Sequence, residues 1–274
     1  TNYHYLVPEF GPDTAFTLDG RWLLDEVAEA QTAGFKAKPV LIGPLTFLYL
    51  GKPKQAGFDR LDLLDRLLPA YVRLLAALRA AGIEWVQIDE PILSLDLPPA
   101  WRAAFERSCH ALRSAGVKLL LASYFGPLRD NLLTALQLPV DGVHLDGVRG
   151  GGELAQALDW LPATKVLSVG VLDGRNVWCD DLAAVLDRTE PLQARLGDRL
   201  WVAPSCSLAH VPVSLAPETR LDAELKSWLA FAAEKLEALG TLRAALNRGR
   251  AAVAPALDMN GRALASRRQS PRVH

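Results

Sequence analysis

Cysteine is scarce in this chain of 274 residues: Cys109, Cys179 and Cys206 are its three thiols. An odd count argues against a disulfide framework and for free thiols in a reducing compartment, the cytoplasm. Their spacing matches no metal-binding cluster. Neither sign of charge is in excess, since the formal net charge is −1. No basic stripe precedes the C-terminal tail, which argues against a nucleic-acid partner. No run approaches the ~20 apolar residues that a membrane span requires. No glycine-rich phosphate loop follows the first predicted strand, and this weakens a nucleotide-binding sheet. The opening Thr-Asn-Tyr-His-Tyr has neither an initiator Met nor a cationic or apolar signal segment, so a processed or excised piece is expected.

What is present is alternation. Short apolar runs at 39–42, 83–89, 117–125, 142–145, 165–171 and 200–204 read as strands with both faces covered. Before, between and after them, leucines at helical spacing predict helices over 21–33, 59–81, 98–116, 128–136, 153–161, 180–196 and 218–239. Pro69 interrupts the second of these and predicts a kink there. Asp180 or Asp181 suits a helix cap. From Asn247 onward the chain is rich in Ala and Arg and reads as a surface segment or linker. Strict alternation implies parallel strands joined by right-handed crossovers. Six such strands are two short of a closed (β/α)8 TIM-type barrel. Either the sheet is open and doubly wound or two units are missing. The lack of a phosphate loop and of an initiator Met favours the second, so the expectation is an α/β fold, a partial barrel with its first two β/α units missing, and with unpaired edges at 39–42 and 200–204.

In parallel α/β folds the chemistry gathers where strands end. The strand in Trp-Val-Gln-Ile-Asp-Glu-Pro stops at two carboxylates, Asp89 and Glu90. The other strand ends offer Tyr124, Asp146, Arg175 and Cys206, with His210 nearby. Carboxylates near a histidine or thiol can serve acid–base chemistry or bind a metal. Each also has a structural reading: Asp89 and Glu90 as acceptors of loop N–H groups, Cys206 as an apolar filler, Asp146 paired with Arg149. A zinc site needs three or four converging ligands, and Cys206 is the sole thiolate candidate here, so no metal is expected.

The runs KPVLIGPLTFLYLGK (38–52), WVQIDEP (85–91), LLLASYF (119–125), VGVLDGRNVW (169–178), LWVAPSCSLAHVPVSL (200–215) and ETRLDAELKSWLAFAAEKL (218–236) resemble the N-terminal half of cobalamin-independent methionine synthase. The opening TNYHYLVPEF and closing SRRQSPRVH fit the same family. The resemblance implies two face-to-face barrels on one long, monomeric, cytoplasmic chain. That enzyme moves a methyl group from 5-methyltetrahydrofolate polyglutamate to homocysteine, and its zinc belongs to the C-terminal barrel. By resemblance, residues 1–246 are an incomplete N-terminal barrel, and 247–274 a linker toward a missing C-terminal barrel. Asn2 matches a folate-contacting position. The family's zinc-ligand strand ends answer to Ser123, Phe125, Asp146 and Cys206. No catalytic residue and no bound cofactor are expected in this part, which would help bind folate, brace the catalytic barrel and be inactive alone. Two other readings stay open: a self-standing barrel hydrolase or decarboxylase using Asp89 and Glu90, and a structural interaction module.

Overall fold

The computed structural model describes residues 7–273. Its centre is a six-stranded parallel sheet: β2 (Val40–Ile42), β4 (Trp85–Asp89), β5 (Lys118–Ala122), β6 (Gly142–Asp146), β7 (Val166–Leu172) and β8 (Leu200–Pro204), in that order. A two-stranded parallel ribbon joins β1 (Glu9–Phe10) to β3 (Lys52–Pro53). Neighbours in the sheet are neighbours in the chain apart from the ribbon strand, which is the order a β/α barrel wall produces. The fold is thus α/β, with the parallel strands of a partial TIM-type barrel. Asn2 lies outside the described residues.

The chain divides into two compact units. The first holds β1 to β5, the start of β6, and helices α1 (Arg21–Thr32), α2 (Pro44–Leu50), α3 (Leu64–Ala80), α4 (Pro99–Arg113) and α5 (Leu132–Gln137). Its core is leucine-rich. Leu64, Leu75 and Leu78 on α3, Leu112 on α4 and Val86 on β4 are each at most 1% exposed. The apolar residues 45–50 beyond the first sheet strand form α2, begun by Pro44 at its first turn, where the missing N–H is no loss. Helix α3 runs through Pro69, preceded by a tighter turn over Arg60–Leu63 that Asp59 caps by accepting the N–H of Leu61.

The second unit holds residues 124–127, 145–158 and those from 166 onward. Its helices are α6 (Leu154–Trp160, of which the last residues belong to the first unit), α7 (Leu182–Leu196), α8 (Ala223–Ser227), α9 (Ala232–Arg248) and α10 (Ala254–Gln269). Asp181, not Asp180, caps α7 through the N–H of Ala184. The single helix expected over 218–239 is two helices. Between them the chain pairs with residues 177–179: Ala230 donates to the carbonyl of Val177, and Cys179 donates to that of Trp228. Phe231 then opens α9, its backbone N–H taken by Glu234 at 3.1 Å. The Ala- and Arg-rich stretch read as a linker contains α10. Among the described residues, no helix is long and apolar enough to cross a membrane.

Candidate functional site

In the first unit the acidic pair divides by role. Asp89 ends β4, and its Oδ1 accepts from the Gln87 side chain at 2.8 Å. Glu90 is buried, and its carboxylate turns onto the first turn of α2. Oε1 accepts the N–H of Leu45 at 3.0 Å; Oε2 accepts the N–H and hydroxyl of Thr46 at 2.7 and 2.6 Å. Gly43 leaves the space for this, because a Cβ there would meet the Glu90 carboxyl at 2.1 Å. Burial raises the Glu90 carboxyl to about 7, against the lowering effect of its three donors. Glu90 therefore ties the end of β4 to the start of α2.

In the second unit, Asp146, Arg175 and His210 come together around Phe125, which the sequence offered only as a counterpart of a zinc-ligand strand end; Cys206 stands near Asp146 and Gly174. Asp146 is 1% exposed at the end of β6. Its Oδ2 accepts the N–H of Phe125 at 3.0 Å, and Oδ1 those of Val148 and Arg149, each at 2.9 Å. The Arg149 guanidinium pairs with Asp173 rather than Asp146, at 3.3 Å through both terminal nitrogens. Asp173 also accepts the N–H of Arg175 at 2.9 Å and the Asn176 side chain at 2.7 Å, so it orders the loop that presents Arg175.

Phe125 sits at φ +78°, a left-handed conformation that a side chain with a Cβ rarely adopts. Its ring is 37% exposed and is framed on three sides. The Arg175 guanidinium lies 4.7 Å from the ring centroid, Tyr124 meets it edge-on at 4.7 Å, and His210 edge-on at 5.7 Å. Burial, then the charge of Arg175, lowers the His210 imidazole, which is therefore neutral at pH 7. Cys206 is 6% exposed, and burial raises its thiol, so it is protonated. Gly174 approaches it closely: a Cβ there would meet the Cys206 carbonyl oxygen at 2.8 Å and Sγ at 2.9 Å. The result is an exposed aromatic face flanked by a cation and a neutral imidazole, above a carboxylate wholly engaged with backbone. Nothing in the sequence signals a left-handed Phe.

The family model described as the cobalamin-independent synthase N-terminal domain matches residues 1–197. This chain belongs to that family. Solved structures with the same fold include a putative vitamin-B12 independent methionine synthase from Listeria monocytogenes. It is 17% identical with a TM-score of 0.59, over 88% of this chain and 72% of that one. A B12-independent methionine synthase from Shewanella sp. W3-18-1, in complex with selenomethionine, is 15% identical with a TM-score of 0.58, over 80% of this chain and 64% of that one. A methyltransferase from Methanosarcina mazei is 15% identical with a TM-score of 0.55, over 68% of this chain and 58% of that one. The synthase domain thus spans less than two thirds of the length of two of these three relatives.

The zinc that the sequence resemblance implies can be tested against the residues it aligns with ligands. Ser123 and Phe125 supply no thiolate or imidazole. Both oxygens of Asp146 are occupied by backbone N–H groups, which leaves Cys206 as the one thiol of the set. Among the described residues no three His, Cys, Asp or Glu side chains converge. This donor set does not fit a tetrahedral zinc.

Proposed function

We propose that this synthase domain is the non-catalytic barrel of an enzyme that transfers a methyl group from 5-methyltetrahydrofolate polyglutamate to homocysteine, in the cytoplasm. It braces the zinc-bearing catalytic barrel and contributes to holding the folate. The observation that carries the reading is the occupied state of the acidic groups. Asp146 and Glu90 serve backbone amides, and Cys206 is buried and protonated, so activating a thiol falls to another domain. The exposed Phe125–Arg175 face supports a role in binding. An aromatic ring suits a flat heterocycle, and an exposed guanidinium suits the carboxylates of a glutamate tail.

Two measurements test this. The isolated chain, given 5-methyltetrahydrofolate triglutamate, homocysteine and zinc, is expected to form no methionine; methionine production would overturn the reading. Equilibrium binding of the triglutamate to the chain should weaken by roughly tenfold in Arg175→Gln, the scale of one charge-assisted contact. A second reading, a docking module without a substrate, is favoured by one observation: Val40 and Ile42 on β2 are 51% and 43% exposed. A chain that binds no triglutamate at any accessible concentration would favour it.

A further inference from the structure

A cavity of about 630 Å³ separates α6 from α7 in the second unit, over the outward side of β7. It is independent of the Phe125 face and of the proposed methyl-transfer role. Leu154 and Leu158 of α6, Val169 and Val171 of β7, and Val185 and Leu192 of α7 form its apolar wall. Helix α6, which lines this space on one side, is only seven residues long. The volume falls within the range of ligand sites, ~300–1,000 Å³, and such sites combine apolar walls with few polar groups. Water filling apolar walls would find few partners.

The mouth supplies the polar groups. Gly151 and Gly152 line it, and a Cβ at either would meet nothing within 4 Å, so the entrance is open. Arg188 stands at the rim. Its Nε makes a long bond of 3.4 Å to the carbonyl of Ala184, and among the described residues no carboxylate pairs with its terminal amino groups. The acid beside it, Asp187, is already held by Arg250 at 2.6 Å. Arg149, on the other side, is held by Asp173. Of the side-chain cations that line the cavity, Arg188 is the one with no carboxylate partner among the described residues, beside an apolar wall. We infer that this cavity binds a monocarboxylate carried on a flexible apolar chain, its carboxylate on Arg188 and its tail against α6, β7 and α7.

Isothermal titration of the full chain with laurate, kept below its micelle concentration, tests this. The expected result is saturable single-site binding. Dodecyltrimethylammonium, a cation of equal chain length, should bind at least ~10-fold more weakly, the order of one lost charge-assisted contact. Arg188→Gln should weaken laurate to a similar degree. Ala155→Trp fills the cavity from an exposed position of its wall and should abolish binding, with circular dichroism and the melting temperature reporting that the variant is folded. Should Ala155→Trp not fold, Leu158→Phe narrows the same wall. Non-saturable laurate binding, equal binding of the cation, or binding that survives both Arg188→Gln and a folded cavity-filling variant would each overturn the assignment.

Discussion

Asp146 accepts the backbone N–H of Phe125 at 3.0 Å, and Phe125 holds φ +78°. The two facts belong together. A left-handed phenylalanine costs on the order of 1–2 kcal/mol relative to its ordinary conformations and persists only where the surroundings fix it. The buried carboxylate fixes it, while its other oxygen orders the turn at Val148 and Arg149. Asp146→Ala should strip three backbone donors of their acceptor. An unsatisfied buried group costs ~1–3 kcal/mol, and partial access to water relieves some of it, so a loss of about 3 kcal/mol is expected in urea unfolding. Asp146→Asn, which keeps one good acceptor, should lose about half as much.

Glu90 gives the chain a pH dependence with a definite sign. Its folded pKa of about 7 lies above its ordinary value of 4.5, so between those limits the folded state binds more protons than the unfolded state. The contribution to stability is full below about 4.5, declines as pH rises, and is gone above about 7. Its size is on the order of 3 kcal/mol. His210, whose pKa is lowered by burial, acts in the opposite sense across part of that range, losing stability as pH falls. The difference between wild type and Glu90→Gln therefore isolates the glutamate. Urea midpoints of Glu90→Gln should fall less than those of the wild type from pH 4.5 to pH 7; parallel curves would refute the assignment.

The buried ion pair of the second unit invites a double-mutant cycle. Lys235 is 0% exposed, and its Nζ donates to Asp180 Oδ2 at 2.9 Å and to the carbonyl of Trp178 at 3.1 Å. The other oxygen of Asp180 accepts the N–H of Asp173, the acid that orders the Arg175 loop. Lys235→Met strands a carboxylate and should cost roughly 3–5 kcal/mol. Asp180→Asn in that background removes the charge yet keeps the acceptor for Asp173, and should restore about 1–3 kcal/mol of it. Additive losses would mean that the two groups do not interact.

How far the sequence reveals this structure depends on where the deciding interactions lie. Strands were legible because each is a local apolar run bounded by turn residues; 200–204 matches Leu200–Pro204 residue for residue. The strand predicted over 117–125 stops at Ala122: Ser123 still donates to the carbonyl of His144, but the N–H of Phe125 turns to the Asp146 carboxylate, a partner 21 residues along the chain. The break between α8 and α9 hid for a similar reason. Leu221, Leu225, Trp228, Leu229 and Leu236 keep a helical rhythm straight through it, and the bonds that interrupt the helix come from Val177 and Cys179. Helix α10 was not legible because its apolar positions form no clear stripe; Leu264 is its one buried residue. The candidate residues themselves were legible as strand-end acids, thiol and imidazole. Their engagements were not, because a sequence does not say whether a carboxylate faces a ligand or an amide.

Among the described residues, strand β2 stands at one end of the sheet order and pairs with β4 only, and Val40 and Ile42 are 51% and 43% exposed. At the other end, α9 packs against β8, so the expectation of two bare edges holds best for β2. An edge with exposed β-branched side chains invites another strand, though the Ile42 carbonyl already accepts the Tyr71 hydroxyl at 2.8 Å. The isolated chain should therefore associate as its concentration rises through roughly the micromolar to millimolar range, where exposed edges and apolar surface drive aggregation. Lysines on an edge oppose such pairing, by charge and by the desolvation that contact would impose. Val40→Lys with Ile42→Lys should shift the association to higher concentration without lowering the melting temperature by more than a few degrees, since both side chains already face solvent. Sedimentation velocity decides it. A wild-type chain that stays monomeric across the range, or a double variant that associates as readily, would show that β2 is not the sticky edge.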